Sequence, residues 1–402
     1  MSAQPIIGIA GFGLEGHAAY EYFKGKAELH IFDEAAIDPG GLDATVHLGL
    51  SIPDIIEIVY KTPGIPTRKL RLASSKTRVT TFTDLVLERV RDRAIGVTGT
   101  KGKSTVSSLI YHILKGAGRT VRLSGNIGIA DADILSADIP GQLHVLELSS
   151  YQCEYLTHSP HVAVLTNLYQ EHLSHHGSFE KYKEAKLNIA RFQGSEDVFI
   201  NGSDLAIQFA GKVVRPDMSK SFETKLLGEH NQKDCALAVA AVQALGISEA
   251  EAREHIKTFI PLPYRLERLG TYRGITFYDD SLATIPEASM ASVHALSGVD
   301  TIILGGEDRG ISFDAFAQEL GKTKIQTFII FPDTGAKMVA EVSERNIIPV
   351  SSMEEAVRAA YTHTRPGGIV LLSNASPSFN LFKDYKDKSA QYRKWISTLA
   401  EN

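Results

Sequence analysis

At 402 residues, with 43% apolar and 22% charged, the chain has the composition of a soluble globular protein and is too long for a single hydrophobic core. A net charge of −5 argues against non-specific nucleic-acid binding, which needs a basic face, and two cysteines without CxxC spacing exclude a disulfide framework or a cysteine-based zinc site. No run approaches ~20 uninterrupted apolar residues and no signal-type start is present, so a cytoplasmic protein without membrane insertion is expected.

In chain order, Pro5 to Ala10 predicts a strand running into Gly11-Phe12-Gly13-Leu14-Glu15-Gly16, with a helix opening over His17 to Phe23. A glycine-rich turn between strand and helix lets the backbone approach a phosphate. The next strand, Leu29 to Phe32, ends at Asp33, where a Rossmann-type site keeps its ribose-binding carboxylate. Alone, these residues point to a dinucleotide or a nucleotide sugar, and glycines placed only for tight packing stay open. Ile55 to Tyr60 predicts a further strand, followed by the turn Thr62-Pro63-Gly64-Ile65-Pro66.

The most informative stretch is Gly96-Val97-Thr98-Gly99-Thr100-Lys101-Gly102-Lys103-Ser104-Thr105. Ala94 to Val97 reads as a short buried strand. Val106, Leu109, Ile110, Ile113 and Leu114 recur at helical spacing until Gly116 and Gly118. Strand, Gly-rich loop and helix in that order make a phosphate-binding loop: backbone N–H groups and the helix start face the anion, Lys103 adds a charge, and Ser104 or Thr105 holds Mg²⁺. Downstream, the apolar strand Leu143 to Leu148 carries Glu147, a carboxylate placed to take Mg²⁺ beside that loop.

A strand over Val162 to Asn167 leads to Glu171 and a histidine-rich turn, His172, His175 and His176, before a helix over Phe179 to Ala190 with Lys181, Lys183 and Lys186. Zinc at these histidines lacks a Cys or Glu at the usual helical spacing, and any one lysine reads as a solvated helix face. Gly228-Glu229-His230-Asn231 precedes a small-residue helix over Asp234 to Leu245, and Pro261 and Pro263 punctuate a boundary. The last third alternates strands (275–278, 301–304, 327–330, 368–372) with helices, which predicts a parallel sheet whose strand ends carry Asp279-Asp280-Ser281, Gly305 to Arg309 and Ser376-Pro377-Ser378.

With these pieces in order the chain resembles the Mur ligases, most closely their glutamate-adding members, over essentially its whole length. The markers are the phosphate loop, Gly125-Asn126-Ile127-Gly128, Leu146-Glu147-Leu148-Ser149-Ser150-Tyr151-Gln152, Thr166-Asn167, Tyr182 to Lys186 and Gly228 to Asn231. The resemblance implies an α/β protein of three domains. A Rossmann-like domain for the UDP-sugar covers 1–93, a central P-loop ATPase domain with a mainly parallel sheet covers 94–261, and a Rossmann-like domain for the amino acid covers 262–402. It implies ATP-dependent addition of D-glutamate to UDP-N-acetylmuramoyl-L-alanine through an acyl phosphate, giving ADP and phosphate, in cytoplasmic peptidoglycan precursor synthesis by a monomer.

By position, the resemblance puts Gly11, Phe12, Gly13, Leu14, Glu15, Asp33, Thr62, Gly64 and Asn126 around the UDP-sugar. It puts Gly99 to Thr105, Asn231, Arg265 and Asp280 around ATP, and Thr284, Arg309, Ser378 and Tyr385 around the incoming glutamate. Ser104, Glu147, His172 and a carbamylated Lys186 match ligands of two Mg²⁺ sites, and Lys103, Glu147, His172 and Lys186 match the catalytic set.

Several positions depart from the pattern. Leu282 stands where a lysine is usual, Arg309 replaces a lysine, Tyr385 a phenylalanine, and Asp234 an asparagine, while Glu171 and Ser174 replace aspartates around His172. Glu15 meets a diphosphate position with like charge. An L-glutamate-adding variant or another Mur ligase therefore stays open, as do two unlike functions: a non-catalytic UDP-sugar-binding paralogue and an NAD-dependent oxidoreductase.

Overall fold

The computed structural model describes residues 4–125, 134–135 and 139–401. The chain forms two compact units, Met1–Glu223 with Gln232–Phe259, and Thr224–Asn231 with Ile260–Asn402. Among the described residues, no helix is long and apolar enough to cross a membrane.

The first unit holds two parallel sheets. Strands β1 (Ile6–Ala10), β2 (Glu28–Asp33) and β3 (Thr45–Leu48) run outwards on one side, while β5 (Ile58–Lys61) and β7 (Arg78–Thr80) lie on the other, in the order β3-β2-β1-β5-β7. Two short strands, β4 (Ser51–Ile52) and β6 (Arg71–Leu72), pair beside them. Ile7, Ile9, Leu29, Ile31 and Phe32 are buried on both faces, as a helix-covered parallel sheet requires. The strand order reverses between β1 and β5, so the Gly11 turn and the Thr62 turn open towards each other, which is where such sheets bind ligands. Helix α1 (Leu14–Phe23) follows the first turn.

The second sheet has the order β13-β12-β11-β8-β10-β9, from β8 (Ala94–Thr98), β9 (Val121–Gly125), β10 (Leu143–Glu147), β11 (Val162–Leu165), β12 (Val198–Asn201) and β13 (Lys212–Val214). Its own reversal point lies between β8 and β11, so the phosphate loop and the segment after Leu165 share one crevice. Asp84, buried on α2 (Phe82–Val90), joins the two sheets: it accepts from Thr157 N (2.7 Å), Thr157 Oγ1 (2.7 Å) and His158 N (3.0 Å).

The second unit carries β14 (Glu267–Tyr272), β15 (Ile275–Asp279), β16 (Val299–Leu304), β17 (Thr327–Ile330), β18 (Asn346–Pro349) and β19 (Ile369–Leu372), in the order β14-β15-β19-β16-β17-β18. The expected parallel sheet is present except at its edge, where β14 and β15 pair antiparallel. Only Arg273 and Gly274 connect them, both with positive φ (51° and 78°), and a two-residue turn of that hand can only make a hairpin.

The last helix, α13 (Tyr385–Ala400), buries Lys388 completely. Its Nζ donates to Gly305 O (2.9 Å) and lies 4.6 Å and 5.1 Å from the ring centres of Phe331 and Phe382. Burial pushes the Lys388 pKa from 10.5 down to about 7. Between those two values the unfolded chain holds a proton that the folded chain has lost, so this group makes stability rise with pH through that window. The ring faces offset part of the cost of the charge. We expect Lys388→Met to flatten the rise and to stabilise the protein at pH 6 by roughly 1–3 kcal/mol, read from urea unfolding at several pH values. A variant less stable at pH 6 would contradict this assignment.

Candidate active site

Strand β8 is buried throughout and delivers the phosphate loop to the sheet edge. Gly99 has φ of 147°, and a Cβ there would collide with the Thr166 hydroxyl, so both conformation and space demand glycine. The segment after β11 then holds the loop in place. Thr166 Oγ1 and Asn167 Nδ2 donate to Lys101 O (2.5 and 3.0 Å), and Lys101 N donates to Asn167 Oδ1 (2.9 Å). Thr100 N reaches Asn167 O (3.0 Å), and Thr100 Oγ1 pairs with Tyr182 Oη (2.9 Å). Helix α3 (Lys103–Gly116) begins directly after Gly102, with Ser104 and Thr105 in its first turn.

Two lysines converge on one carbonyl. Lys103 Nζ donates to Gly99 O and Thr100 O (3.0 Å each), and Lys186 Nζ donates to Gly99 O (2.7 Å). Lys186 lies on α6 (Phe179–Arg191), capped by Ser178, whose buried face is Tyr182, Ala185, Lys186 and Ile189. That spacing places Lys186 in the inward stripe of the helix, not on its solvated side, and it is 2% exposed. Burial first, and the Lys103 charge second, lower its pKa from 10.5 to about 7.

Beside the lysines, His172 has φ of 56°, and its Nδ1 meets Tyr151 Oη at 2.8 Å. Its imidazole pKa is lowered by burial. Glu171 accepts from Lys101 Nζ (2.8 Å) and lies 3.7 Å from His172 Nε2; Lys101 and the neighbouring charges outweigh burial and lower its pKa. Glu147 ends β10, 2% exposed, in register with Val97.

A cavity of about 470 Å³ opens over these groups. Lys103, Lys186, Tyr182, Glu171 and His172 line it from the central sheet, and Leu14, Glu15 and Pro63 line it from the first sheet. Glu15 is turned to accept from Gln152 Nε2 (3.1 Å). This pairing accounts for a carboxylate at that position.

Around the first sheet, Phe12 N donates to Asp33 Oδ2 (2.7 Å), and Ala35 N to Asp33 Oδ1 (2.9 Å), so Asp33 shapes the glycine turn. Thr62 Oγ1 donates to Ala10 O (3.1 Å), and a Cβ on Gly11 would collide with that hydroxyl. Gly13 precedes α1, Leu14 is 91% exposed, and Gly64 is exposed. Asn126 lies outside the described residues.

The residues that the resemblance assigns to the amino acid, and Asn231, Arg265 and Asp280 of those it assigns to ATP, belong to the second unit. Asp280, Thr284, Arg309 and Ser378 follow β15, β16 and β19, which are adjacent and parallel, so all four sit at one sheet edge, with Tyr385 opening α13. Asp280 accepts from Ser292 Oγ (2.6 Å), Ser373 Oγ (2.8 Å) and Leu266 N (3.1 Å), and burial raises its pKa to about 7. Arg309 is exposed and pairs with Glu307 (2.8 Å). Ser378 is buried and accepts from Asn374 Nδ2 (3.3 Å), and Tyr385 packs edge-on to Tyr264. Arg265 and Thr284 are half-buried, and Asn231 Nδ2 donates to Leu227 O (2.6 Å).

Sequence reading gave no role to Tyr151, Gln152, Glu171 or Tyr182, all of which line the cavity. Tyr182 had a usable signal, standing four residues before Lys186 on one helix face. Gln152 ends one of the marker segments, but nothing there pointed to its partner, because Glu15 is 137 residues away.

Comparison with known proteins places this geometry. Residues 97–215 match the Mur ligase middle domain, and 264–375 match the Mur ligase glutamate ligase domain. A UDP-N-acetylmuramoyl-L-alanine--L-glutamate ligase of Salinispora tropica is 36% identical, with 98% of each chain aligned. A UDP-N-acetylmuramoylalanine--D-glutamate ligase of Acetivibrio thermocellus is 29% identical, over 89% of this chain and 87% of that one. Among solved structures, MurF ligase of Thermotoga maritima in complex with ADP shares the fold at 17% identity, with a TM-score of 0.64 over 98% of this chain and 96% of that one.

Proposed function

The chain belongs to the Mur ligase family, and from that premise we propose that it joins glutamate to UDP-N-acetylmuramoyl-L-alanine at the cost of ATP, releasing ADP and phosphate, in peptidoglycan precursor synthesis. The observation that carries the reading is the convergence of Lys103 and Lys186 on Gly99 O, in a cavity shared with His172 and the first-sheet residues Leu14, Glu15 and Pro63.

A carboxylate does not condense with an amine in water unless it is first activated. The alanyl carboxylate takes the γ-phosphoryl group of ATP, and the amine of glutamate then displaces phosphate through a tetrahedral intermediate. The loop N–H groups and the start of α3 bind the phosphates, Lys103 offsets charge on the transferring oxygens, and the rigid loop supplies positioning.

The residues fit Mg²⁺. Ser104 and Glu147 offer hard oxygen donors, and a carbamate on Lys186 adds another beside His172. Burial lowers the Lys186 pKa to about 7, which favours the free amine that CO₂ needs, and a carbamate there would replace the second of two adjacent ammonium charges with a negative one. When bound, Mg²⁺ neutralises the phosphoryl and carboxylate oxygens. The reading uses modules 1–93, 94–261 and 262–402 for UDP-sugar, ATP and amino acid, in a cytoplasmic monomer.

The relatives of higher identity and coverage, at 36% and 34%, are named for L-glutamate, which favours the L-isomer over the D-isomer expected from the markers. Phosphate release with UDP-N-acetylmuramoyl-L-alanine, ATP and each glutamate enantiomer tests both points. We expect turnover with L-glutamate to exceed that with D-glutamate at least ~10-fold. Turnover with D-glutamate alone overturns the stereochemical choice, and silence with both overturns the ligase reading.

A further inference from the structure

The histidine turn contributes His172 to the site above and leaves His175 and His176 without a role. Both lie on α5 (Leu173–His176), and neither lines the cavity. A carboxylate meets them from far upstream: one ligand atom from each of Glu154, His175 and His176 lies within 4.8 Å of the others. His175 Nε2 and Glu154 Oε2 are 3.5 Å apart. That is long for a hydrogen bond, and it is the edge of a tetrahedron whose corners lie ~2.1 Å from a central ion.

Glu154 and His176 each have a further side-chain partner, as metal ligands held by an outer shell do, and the backbone of His175 is tied down. Thr67 Oγ1 donates to Glu154 Oε1 (3.0 Å), Arg68 donates to His175 O (3.0 Å), and Ser150 Oγ lies 3.0 Å from His176 Nε2. The Tyr151 ring packs against both imidazoles, with ring centres 4.1 Å from His175 and 5.5 Å from His176. Lys61 opposes a cation here. Its Nζ is 3.5 Å from Glu154 Oε2, although Ile65 O (2.8 Å) and Thr62 O (3.4 Å) also hold it.

We propose that Glu154, His175 and His176 bind one Zn²⁺-class transition-metal ion, with water in the fourth position. Two imidazoles and one carboxylate suit such an ion and not Mg²⁺, which takes oxygen ligands and keeps its waters. The site is chemically distinct from the one at Lys103, Glu147 and His172, and its existence does not depend on the ligase reading.

The full chain, in excess Mg²⁺, is titrated with Co²⁺ as a visible-absorbing probe and then with Zn²⁺ as competitor. We expect one Co²⁺ per chain with the strong bands of tetrahedral geometry, displaced by Zn²⁺. Binding should vanish in His175→Ala and His176→Ala, weaken at least ~10-fold in the isosteric Glu154→Gln, survive in His172→Ala, and tighten in Lys61→Met, where a repelling charge is gone. Zn²⁺ should raise the Tm of the wild type and leave that of Glu154→Gln nearly unmoved, which separates lost binding from lost folding. Absence of tetrahedral Co²⁺ in the wild type, binding of wild-type strength in Glu154→Gln, or loss of binding in His172→Ala overturns the proposal.

Discussion

Lys103→Ala is expected to lower turnover by about 10³-fold or more while leaving the chain folded, because its ammonium is placed to offset charge that grows only as the phosphoryl group transfers. Gly99 O keeps a donor in that variant, since Lys186 Nζ also reaches it at 2.7 Å. The loss should therefore fall on kcat more than on nucleotide affinity, which single-turnover phosphate release and equilibrium ATP binding would separate. Ligation by Lys103→Ala at wild-type speed would remove the central argument for the site.

Lys186→Ala should cost at least ~10²-fold in kcat, and formate or acetate should restore part of it by supplying an anion in the space left by the side chain. Rescue by a carboxylate is the outcome that a merely structural lysine cannot produce. The pH dependence has a definite sign. Carbamylation needs the free amine, and the Lys186 pKa stands at about 7, so the ammonium form dominates below that value. Added bicarbonate should therefore stimulate the wild type more at pH 6 than at pH 8, and should have no effect on Lys186→Ala. Equal stimulation at both pH values, or no rescue by any short carboxylate, would argue for an unmodified lysine.

Much of the fold was legible because its signals are local. Strand, glycine loop and apolar-periodic helix stand consecutively around Lys103, and alternating apolar strands and helices announce parallel sheets. The edge hairpin was less legible: β14 mixes exposed and half-buried residues and carries Gly270 at its bulge, so neither alternation nor an apolar run marks it. At the site, the lysine stripe on α6 looked solvated until burial separated Lys186 from Lys181 and Lys183. A carboxylate for His175 and His176 could not be expected from spacing, because Glu154 stands 21 residues before His175.

By itself the sequence determined the anion-binding loop, the approximate strand and helix boundaries and the family, since backbone chemistry and apolar periodicity act over a few residues. Tertiary structure alone decided which charges share a dry space. Whether Lys186 is solvated or buried beside Lys103, whether Glu15 stands free or is tied to Gln152, and whether three side chains come together are matters of burial and proximity between segments remote along the chain. Desolvation and Coulomb energies depend on that proximity, and residue order does not encode it locally.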